Sequence, residues 1–203
     1  MVKAIVFDIG GVLVDLDLDR CIRAFREILG FDRITEILDP SHQKGIYGEM
    51  EAGRLSAQHF RELILAESRP GCRPQDVDRA MAALLTGVSP TTAQLLRDLS
   101  TRYPLYLLSN NNPISMARTY ELFREVGVDP ETTFRGQFIS WEMQLMKPSQ
   151  ACFREAIRRV GLPAGDILFV DDNNDNVEAA REAGMQARYY RPGSDLSLLL
   201  ADL

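Results

Sequence analysis

The feature that most constrains the fold is a short stretch near the start of the chain, residues 3–15. It opens with a continuous apolar run, Ala4 to Phe7, which is typical of a strand buried on both faces of a sheet. Asp8 stands where this strand should end, and Gly10 and Gly11 let the backbone turn tightly and approach a ligand closely. Ligands of open α/β sheets lie outside the carboxyl ends of the strands. Asp8 is therefore a candidate nucleophile or metal ligand, although an acid that caps a local turn would give the same pattern.

Strand-like and helical patterns alternate through the second half of the chain. The predicted strands lie near residues 105–108, 137–139, 167–170 and 185–190. Helical patterns separate them, and strands that alternate with helices are joined by right-handed crossovers. The sequence therefore predicts an α/β fold with a mainly parallel sheet and helices on both faces.

Residues 16–87 differ, because helical patterns follow one another there without a convincing strand between them. The predicted helix starts are Asp17 or Asp19, Ser41, Ser56 and Pro74. This block predicts a small helical bundle inserted directly after the first strand. The expected organisation is a core of residues 1–15 and 88–203 that carries an inserted helical domain of residues 16–87.

The composition argues against several kinds of partner. With 203 residues, the chain is long enough for one domain and an insertion. Its net charge of -6 argues against nucleic acid and anionic membranes. No apolar run approaches the roughly 20 residues of a membrane span, and none has the layout of a signal peptide. Three widely separated cysteines without metal-ligand spacing are typical of reduced thiols, so we expect a cytoplasmic protein.

Polar residues stand at or just beyond the carboxyl ends of the predicted parallel strands. In chain order they are Asp8, Ser109, Asn110, Lys147 (in the loop after the third strand), Asp171 and Asp172. Each alone has a structural explanation, since turns, helix caps and surfaces use the same residue types. Because a parallel sheet brings all of them to one edge, together they indicate a single site.

The acidic segment after residue 170 has a second explanation. Four residues nearly match the spacing of a calcium-binding loop, which has Glu at its twelfth position. They are Asp171, Asn173, Asp175 and Glu182. Asn176 stands where that loop needs glycine, and the preceding residues are strand-like rather than helical. These departures favour a strand end over a calcium loop.

The acids at this edge have a common chemical logic in phosphoryl transfer. A carboxylate nucleophile is repelled by a phosphoryl group, so a divalent cation has to bridge the two. Asp8 and one or both of Asp171 and Asp172 would hold such an ion through hard oxygen ligands.

Three further residues complete the scheme. Lys147 would neutralise phosphate charge and fix the nucleophile. Ser109 and the backbone of Asn110 would donate hydrogen bonds to the remaining phosphate oxygens.

Four short motifs carry a resemblance to a known family. They are Phe7-Asp8-Ile-Gly-Gly-Val12, Leu-Leu-Ser109-Asn110, Lys147-Pro148 and Phe-Val-Asp171-Asp172-Asn173. Over nearly its whole length the chain resembles the haloacid dehalogenase-like (HAD) superfamily, most of whose members are phosphatases. The resemblance implies a Rossmann-like, doubly wound core with an inserted helical cap. It also implies a magnesium-dependent phosphatase that acts on a small phosphorylated metabolite through an aspartyl-phosphate on Asp8.

The resemblance further implies the ligands of the Mg²⁺ ion. They would be Asp8, the backbone carbonyl of Gly10, and Asp172, with Asp171 binding directly or through water. The helical cap would exclude water and select the substrate. A Gly-flanked stretch of this block is a hypothesis for residues that face the site, and it contains Tyr47, Glu49 and Arg54.

The sequence departs from the family at Gly10, where members usually carry a second aspartate that protonates the leaving alcohol and then activates water. Such general acid–base help is typically worth about 10²–10⁴-fold. The candidates for a substitute are Asp15, Asp17, His42 and His59. A subset that reads D-x-G-[GN]-V resembles phosphatases of sugar 1-phosphates, notably α-glucose 1-phosphate. Their anomeric leaving group is more acidic than an ordinary alcohol, which lessens the need for the missing acid.

Two alternatives remain open at the level of sequence. In the metal-free haloacid dehalogenase branch, Asp8 would displace halide. That branch usually has Thr at the position of Val12 and Ser-Ser-Asn in place of Asp171-Asp172. The second alternative is a catalytically impaired binding or regulatory protein that lost the acid at Gly10 and kept the fold.

Overall fold

The computed structural model describes residues 1–38 and 45–203. The strands are β1 Ala4–Phe7, β2 Asp15–Leu16, β3 Leu85–Gly87, β4 Leu105–Ser109, β5 Phe134–Ile139, β6 Ile167–Asp171 and β7 Gln186–Tyr189. The helices are α1 Leu18–Ala24, α2 Ile34–Ile37, α3 Gly45–Glu51, α4 Ala57–Ala66, α5 Pro74–Ala82, α6 Pro90–Ser100, α7 Pro113–Glu125, α8 Pro130–Thr133, α9 Ser140–Met143, α10 Gln150–Val160, α11 Asn174–Glu182 and α12 Leu196–Leu199. A π-helical segment, Phe25–Leu29, continues α1, and a 3₁₀ turn, Ala164–Asp166, precedes β6.

Five of the strands form a parallel sheet with the order β5-β4-β1-β6-β7. The central strand pairs with β4 on one side, where Ile5 is opposite Leu105, and with β6 on the other, where Val6 is opposite Phe169. The chain leaves this centre in both directions, so the carboxyl end of β1 is a point where the strand order reverses. Such a switch point forms a crevice for a ligand. The predicted α/β class with a mainly parallel sheet is confirmed.

Both faces of the sheet are covered, because successive side chains of a strand point to opposite sides. Ile5 and Phe7 belong to a buried cluster that includes side chains of α6 and α7. Ala4 and Val6 belong to a second cluster, shared with α10 and α11. None of these four β1 residues has any exposed surface. Burial of each large side chain contributes roughly 1.5–3 kcal/mol, so the strand that ends in Asp8 is firmly held.

The segment between β2 and β3 is helical and has its own buried cluster, which includes Phe25, Phe60 and Met81. The same cluster contains Ile114, from the first turn of α7, so this helical segment packs on the start of that helix. The predicted starts at Asp17, Ser56 and Pro74 are confirmed. Ser41 lies outside the described residues, and α3 covers the later part of the helix predicted there.

The prediction that no strand interrupts residues 16–87 was wrong. β2 and β3 form a short antiparallel pair in which Asp15 is opposite Gly87 and Leu16 is opposite Leu85. The Asp17 backbone N–H also donates to the Leu84 carbonyl at 2.8 Å. Strands of two and three residues are too short to give an alternating pattern. This ribbon brings the entrance and the exit of the helical segment together.

Cys21, Cys72 and Cys152 are all free. Among residues 1–38 and 45–203, no helix is long and apolar enough to cross a membrane.

Candidate active site

The carboxyl end of β1 presents Asp8, which is 8% exposed. Its backbone N–H donates to the Val170 carbonyl of β6 at 2.9 Å, which continues the sheet up to the site. The chain then turns sharply, and the Ile9 carbonyl accepts hydrogen bonds from the N–H groups of Leu13 and Val14, both at 2.9 Å. The tight loop keeps Asp8 at the edge of the sheet.

The two glycines of this loop, Gly10 and Gly11, differ in whether a side chain would fit at their positions. Gly11 has φ +75°, and a Cβ there would overlap Oδ2 of Asp172. The Asp172 carboxylate therefore lies directly over the Gly11 backbone, a position that a side chain would block. Gly10 has no positive φ, and a Cβ there would lie 3.2 Å from the end of the exposed Leu16 side chain. A side chain at position 10 needs only a small shift of Leu16.

Lys147 joins two of the predicted acids. Its Nζ lies 2.9 Å from Oδ1 of Asp8 and 2.6 Å from Oδ2 of Asp171, and its side chain is 2% exposed. Burial alone would lower the pKa of Lys147, but the negative charges of Asp171 and Asp8 outweigh it and raise the pKa. The lysine is therefore held in its charged form between the ends of β1 and β6.

Asn110, after β4, holds the backbone of Lys147. Its Nδ2 donates to the Lys147 carbonyl and its Oδ1 accepts from the Lys147 N–H, both at 2.9 Å. Ser109 is buried in the last position of the same strand. All six predicted polar positions therefore stand at one edge of the sheet, within the last residues of the strands or in the loops that follow them.

The two neighbouring acids after β6 have different surroundings. Oδ1 of Asp171 accepts from the Asn173 N–H at 2.8 Å and from Nδ2 of Asn176 at 3.0 Å, while Oδ2 accepts from Lys147. This carboxylate is fully buried and well supplied with donors. Asp172 is partly exposed and faces the Gly11 loop.

The calcium-loop alternative does not fit this geometry. The Asn173 side chain accepts from the Asp175 N–H at 2.8 Å and caps α11, which begins at the next residue. Asn176 is buried and donates to Asp171. The segment is a strand end followed by a capped helix, and its polar groups are not arranged around a central ion.

The donor set at this edge fits a magnesium ion. Ligand oxygens of Asp8, Asp171 and Asp172 all lie within 4.8 Å of one another. Mg²⁺ prefers hard oxygen ligands of this kind and is usually bound through one or two carboxylates. Burial, and then the charges of Asp8 and Asp171, raise the pKa of Asp172 to about 7. Burial likewise raises the pKa of Asp8 against the opposing effect of Lys147. A divalent cation would offset the excess negative charge that causes part of these shifts.

Helix α3 brings two further polar side chains toward this edge. Tyr47 and Glu51 are four residues apart on one buried face of the helix, where the Tyr47 hydroxyl lowers the pKa of the Glu51 carboxyl. Glu49 and Arg54, from the same Gly-flanked stretch, pair with each other at 2.7 Å on the exposed side. Glu51 was not predicted from the sequence, although its spacing of four residues from Tyr47 was a signal for a shared helix face.

The four predicted substitutes for an acid at Gly10 have other positions or fall outside the structure. Asp17 accepts from the Arg20 N–H at 2.7 Å and caps α1. Asp15 is exposed on β2, and His59 is exposed on α4. His42 lies outside the described residues.

A doubly wound α/β fold with a carboxylate–lysine centre at its switch point defines the class of protein, an α/β protein with a ligand site at the carboxyl ends of its strands. The chain belongs to the haloacid dehalogenase-like hydrolase family, whose family model matches residues 2–184. The predicted family and the Rossmann-like fold are confirmed.

Three relatives cover nearly the whole chain. D-ribitol-5-phosphate phosphatase of Bacteroides thetaiotaomicron is 30% identical over 96% of this chain and 95% of its own. The crystal structure of a HAD family enzyme from the same organism, in complex with magnesium and inorganic phosphate, is 29% identical, with a TM-score of 0.87 over 98% of this chain and 99% of that one. The solved structure of a predicted HAD-like family hydrolase from Porphyromonas gingivalis is 30% identical, with a TM-score of 0.89. The match covers 100% of this chain and 97% of that one. These comparisons confirm the predicted enzyme class, a HAD-like phosphatase, and agree with the predicted cofactor Mg²⁺.

Proposed function

We propose that this protein is a magnesium-dependent phosphatase that hydrolyses a phosphorylated sugar or polyol through an aspartyl-phosphate on Asp8. The observation that carries the proposal is the 2.9 Å ion pair between Asp8 and Lys147, which stands beside two further acids at the switch point of the sheet. A carboxylate held this way is aimed as a nucleophile, and the neighbouring oxygens suit a cation that draws phosphate to it.

The surroundings of each acid support different roles. Asp8, the Gly10 carbonyl and Asp172 would hold Mg²⁺, which, when bound, supplies the positive charge that offsets repulsion between carboxylate and phosphate. Asp171 already accepts hydrogen bonds from three donor groups, the Lys147 ammonium, the Asn173 N–H and the Asn176 side-chain amide. It therefore suits a positioning role toward Lys147 more than direct metal binding, with contact through water as the remaining option.

The phosphate group would be held by residues of two loops. A carboxylate oxygen of Asp8 attacks phosphorus, and Lys147 keeps that carboxylate oriented and neutralises charge on the phosphate. Ser109 and the Asn110 backbone donate to phosphate oxygens. Water then attacks the phosphorus of the aspartyl-phosphate and releases phosphate.

We further propose that residues 16–87 act as a cap on a core formed by residues 1–15 and 88–203. Two contacts support this role. Ser140, at the start of α9, donates to the Glu51 carbonyl at 2.6 Å, and the Trp141 carbonyl oxygen lies so close to Gly53 that a Cβ there would overlap it. The end of α3 thus lies directly against the catalytic edge, where it would exclude water and contact the substrate.

Phosphate release from a panel of esters tests the proposal. The panel contains D-ribitol 5-phosphate, which the named relative supports, α-glucose 1-phosphate, glucose 6-phosphate and p-nitrophenyl phosphate, each with and without Mg²⁺. We expect magnesium-dependent release that is lost in Asp8→Asn. Faster turnover of the 1-phosphate than of the other two sugar and polyol esters would support the anomeric hypothesis, and the reverse order would favour an ordinary alcohol as leaving group. If no ester releases phosphate, the binding-protein alternative replaces the phosphatase.

A halide-release assay distinguishes the dehalogenase alternative from the phosphatase. Displacement of halide from a 2-halo-acid needs no cation, whereas Asp171 and Asp172 add negative charge beside Asp8. Halide release that persists in EDTA would contradict the phosphatase, and we expect none.

A further inference from the structure

The missing side chain at position 10 leaves one step of the proposed reaction without a proton donor. A sugar or polyol leaves as an alkoxide unless a group protonates its oxygen during bond cleavage. Gly10 has no side chain, and the acids suggested by sequence are used as a helix cap or lie exposed on the surface. Among the residues that the structure describes, the proton donor therefore has to come from another element.

Glu51 is fixed at the catalytic edge by contacts of its backbone. Its carbonyl accepts from Oγ of Ser140 at 2.6 Å, and the same hydroxyl oxygen accepts from the Asn111 N–H at 3.0 Å. Asn111 directly follows the phosphate-binding position Asn110. Tyr47 lies one turn before Glu51 on the same buried face of α3. These contacts tie the last residue of α3 to the loop after β4.

The Glu51 carboxyl has a free oxygen in a buried place. The residue is 3% exposed, and its Oε2 atom has no hydrogen-bond partner among the described residues. A buried oxygen without a hydrogen-bond partner reduces the stability of the fold. A residue with only a packing role would therefore not need a carboxyl group at this position. An atom of this kind at the edge of an active site is available to a substrate or to water.

The electrostatic surroundings suit a group that is protonated before the reaction. Burial is the main cause that raises the pKa of Glu51, to about 8. The charged and titratable groups that act on it are Tyr47 and Lys147, which lower its pKa, and Asp8, which raises it. The position of the carboxyl at the catalytic edge follows from the contacts of its backbone through Ser140 with the loop after β4.

We propose that Glu51, delivered by the helical segment, is the general acid and then the general base of this enzyme, in place of an acid at position 10. The inference rests on the proposed phosphatase function. As an Asp8 oxygen bonds to phosphorus, the bond from phosphorus to the ester oxygen breaks, its electron pair stays on that oxygen, and the oxygen takes the Glu51 proton. In the second step Glu51 accepts a proton from water as the water oxygen bonds to phosphorus. The bond from Asp8 to phosphorus then breaks, and its electron pair returns to the carboxylate.

Glu51→Gln tests this role with two kinds of ester. For D-ribitol 5-phosphate, or the best sugar phosphate of the panel, we expect kcat to fall about 10²–10⁴-fold. p-Nitrophenolate leaves without a proton, so its release in the first turnover should fall far less. Water attack still lacks its base, and p-nitrophenyl phosphate should therefore give a burst of about one product per protein followed by slow turnover.

Two further variants separate catalysis from structure. Glu62→Gln changes the same residue type at an exposed position of α4 and should keep the wild-type rate. Gly10→Asp in the Glu51→Gln background restores an acid at a position where only the end of Leu16 has to shift, and should recover roughly 10-fold or more of the lost activity toward the alkyl ester. Lost packing would not be rescued from position 10.

The wild-type pH profile supplies a test that needs no Glu51 variant. The general acid must be protonated, so kcat/KM for the alkyl ester should fall at high pH. Tyr47→Phe removes the hydroxyl that lowers the pKa of Glu51, so this fall should move to higher pH. A profile that does not move contradicts the assignment.

Three results would overturn the inference while leaving the phosphatase intact. They are a wild-type rate in Glu51→Gln, an equal loss with both ester types and no burst, and an effect on KM alone, which would indicate substrate binding. Absence of phosphate release by the wild-type protein from every ester would instead reject the proposed function itself.

Discussion

The side-chain amide of Asn110 forms two hydrogen bonds with the backbone of Lys147, each 2.9 Å long. These bonds join the end of β4 to the loop that precedes α10. Lys147 in turn contacts Asp8 and Asp171, on β1 and β6. The nucleophile, the lysine and its partner acid therefore come from three different parts of the chain but are held as one unit.

Asn110→Ala should reduce kcat although the Asn110 side chain does not itself contact the substrate. The backbone of residue 110, which is proposed to bind phosphate, is retained. The Lys147 backbone loses both bonds, and displacement of a positioned group by about 1 Å can cost about 10²-fold in rate. Steady-state kinetics with Mg²⁺ measures the effect. Gln94, an exposed residue of α6, offers a matched side-chain amide as the control, and Gln94→Ala should keep the wild-type rate. A wild-type kcat in Asn110→Ala would show that Lys147 is positioned without these two bonds.

Gly10 and Gly11 form a matched pair for substitution by alanine. Gly11→Ala places a side chain at φ +75°, which costs about 1–2 kcal/mol, and it also displaces the Asp172 carboxylate. Gly10→Ala meets only the end of Leu16. We expect Gly11→Ala to lose both stability and activity in urea unfolding and phosphate-release assays. Equal effects of the two substitutions would contradict the described loop.

Asp172→Asn removes one negative charge and should have opposite effects on stability without and with Mg²⁺. In the absence of Mg²⁺, Asp172→Asn relieves repulsion with Asp8 and Asp171, so its melting temperature should equal or exceed that of the wild type. The wild type should gain stability from Mg²⁺, about 2.7 kcal/mol at about 100 times Kd, whereas Asp172→Asn should gain little.

Asp175→Asn is the control for this experiment, because Asp175 is exposed on the first turn of α11. It should respond to Mg²⁺ as the wild type does. A magnesium response that survives in Asp172→Asn would place the ion elsewhere.

The core of the site could be predicted because its residues follow buried strands. A continuous apolar run such as residues 167–170 fixes where a strand ends, and parallel pairing fixes that Asp8 and Asp171 share an edge. The distinct surroundings of Asp171 and Asp172 could not be predicted, since adjacent residues differ only in the direction of their side chains. That direction depends on Gly11 and Asn176, which are distant in sequence from each other.

The residues that the helical segment places at the site could not be predicted from sequence patterns. Which face of α3 meets the core depends on its contact with Ser140 and Trp141, about ninety residues later in the chain. The sequence therefore predicted that Tyr47 and Glu49 both face the site. It gave no means to tell the buried positions, Tyr47 and Glu51, from the exposed Glu49. The β3 strand was missed for a related reason, because its pairing with β2 is set by the return of the chain and not by its own three residues.

The buried carboxyl of Glu51 also predicts how stability depends on pH. Its pKa is raised to about 8 in the folded protein, above the usual value of 4.5, so the folded state binds a proton that the unfolded state has released between these values. The stabilisation by this group is complete below pH 4.5 and is lost as the pH rises toward 8, by at most about 1.4 kcal/mol per pH unit. Glu51→Gln removes the titrating group. Its free energy of unfolding, compared with that of the wild type, should therefore be relatively greater at about pH 8.5 than at about pH 5.5. Urea unfolding at the two values measures this difference, and a difference between the proteins that is independent of pH would show that Glu51 is ionised throughout.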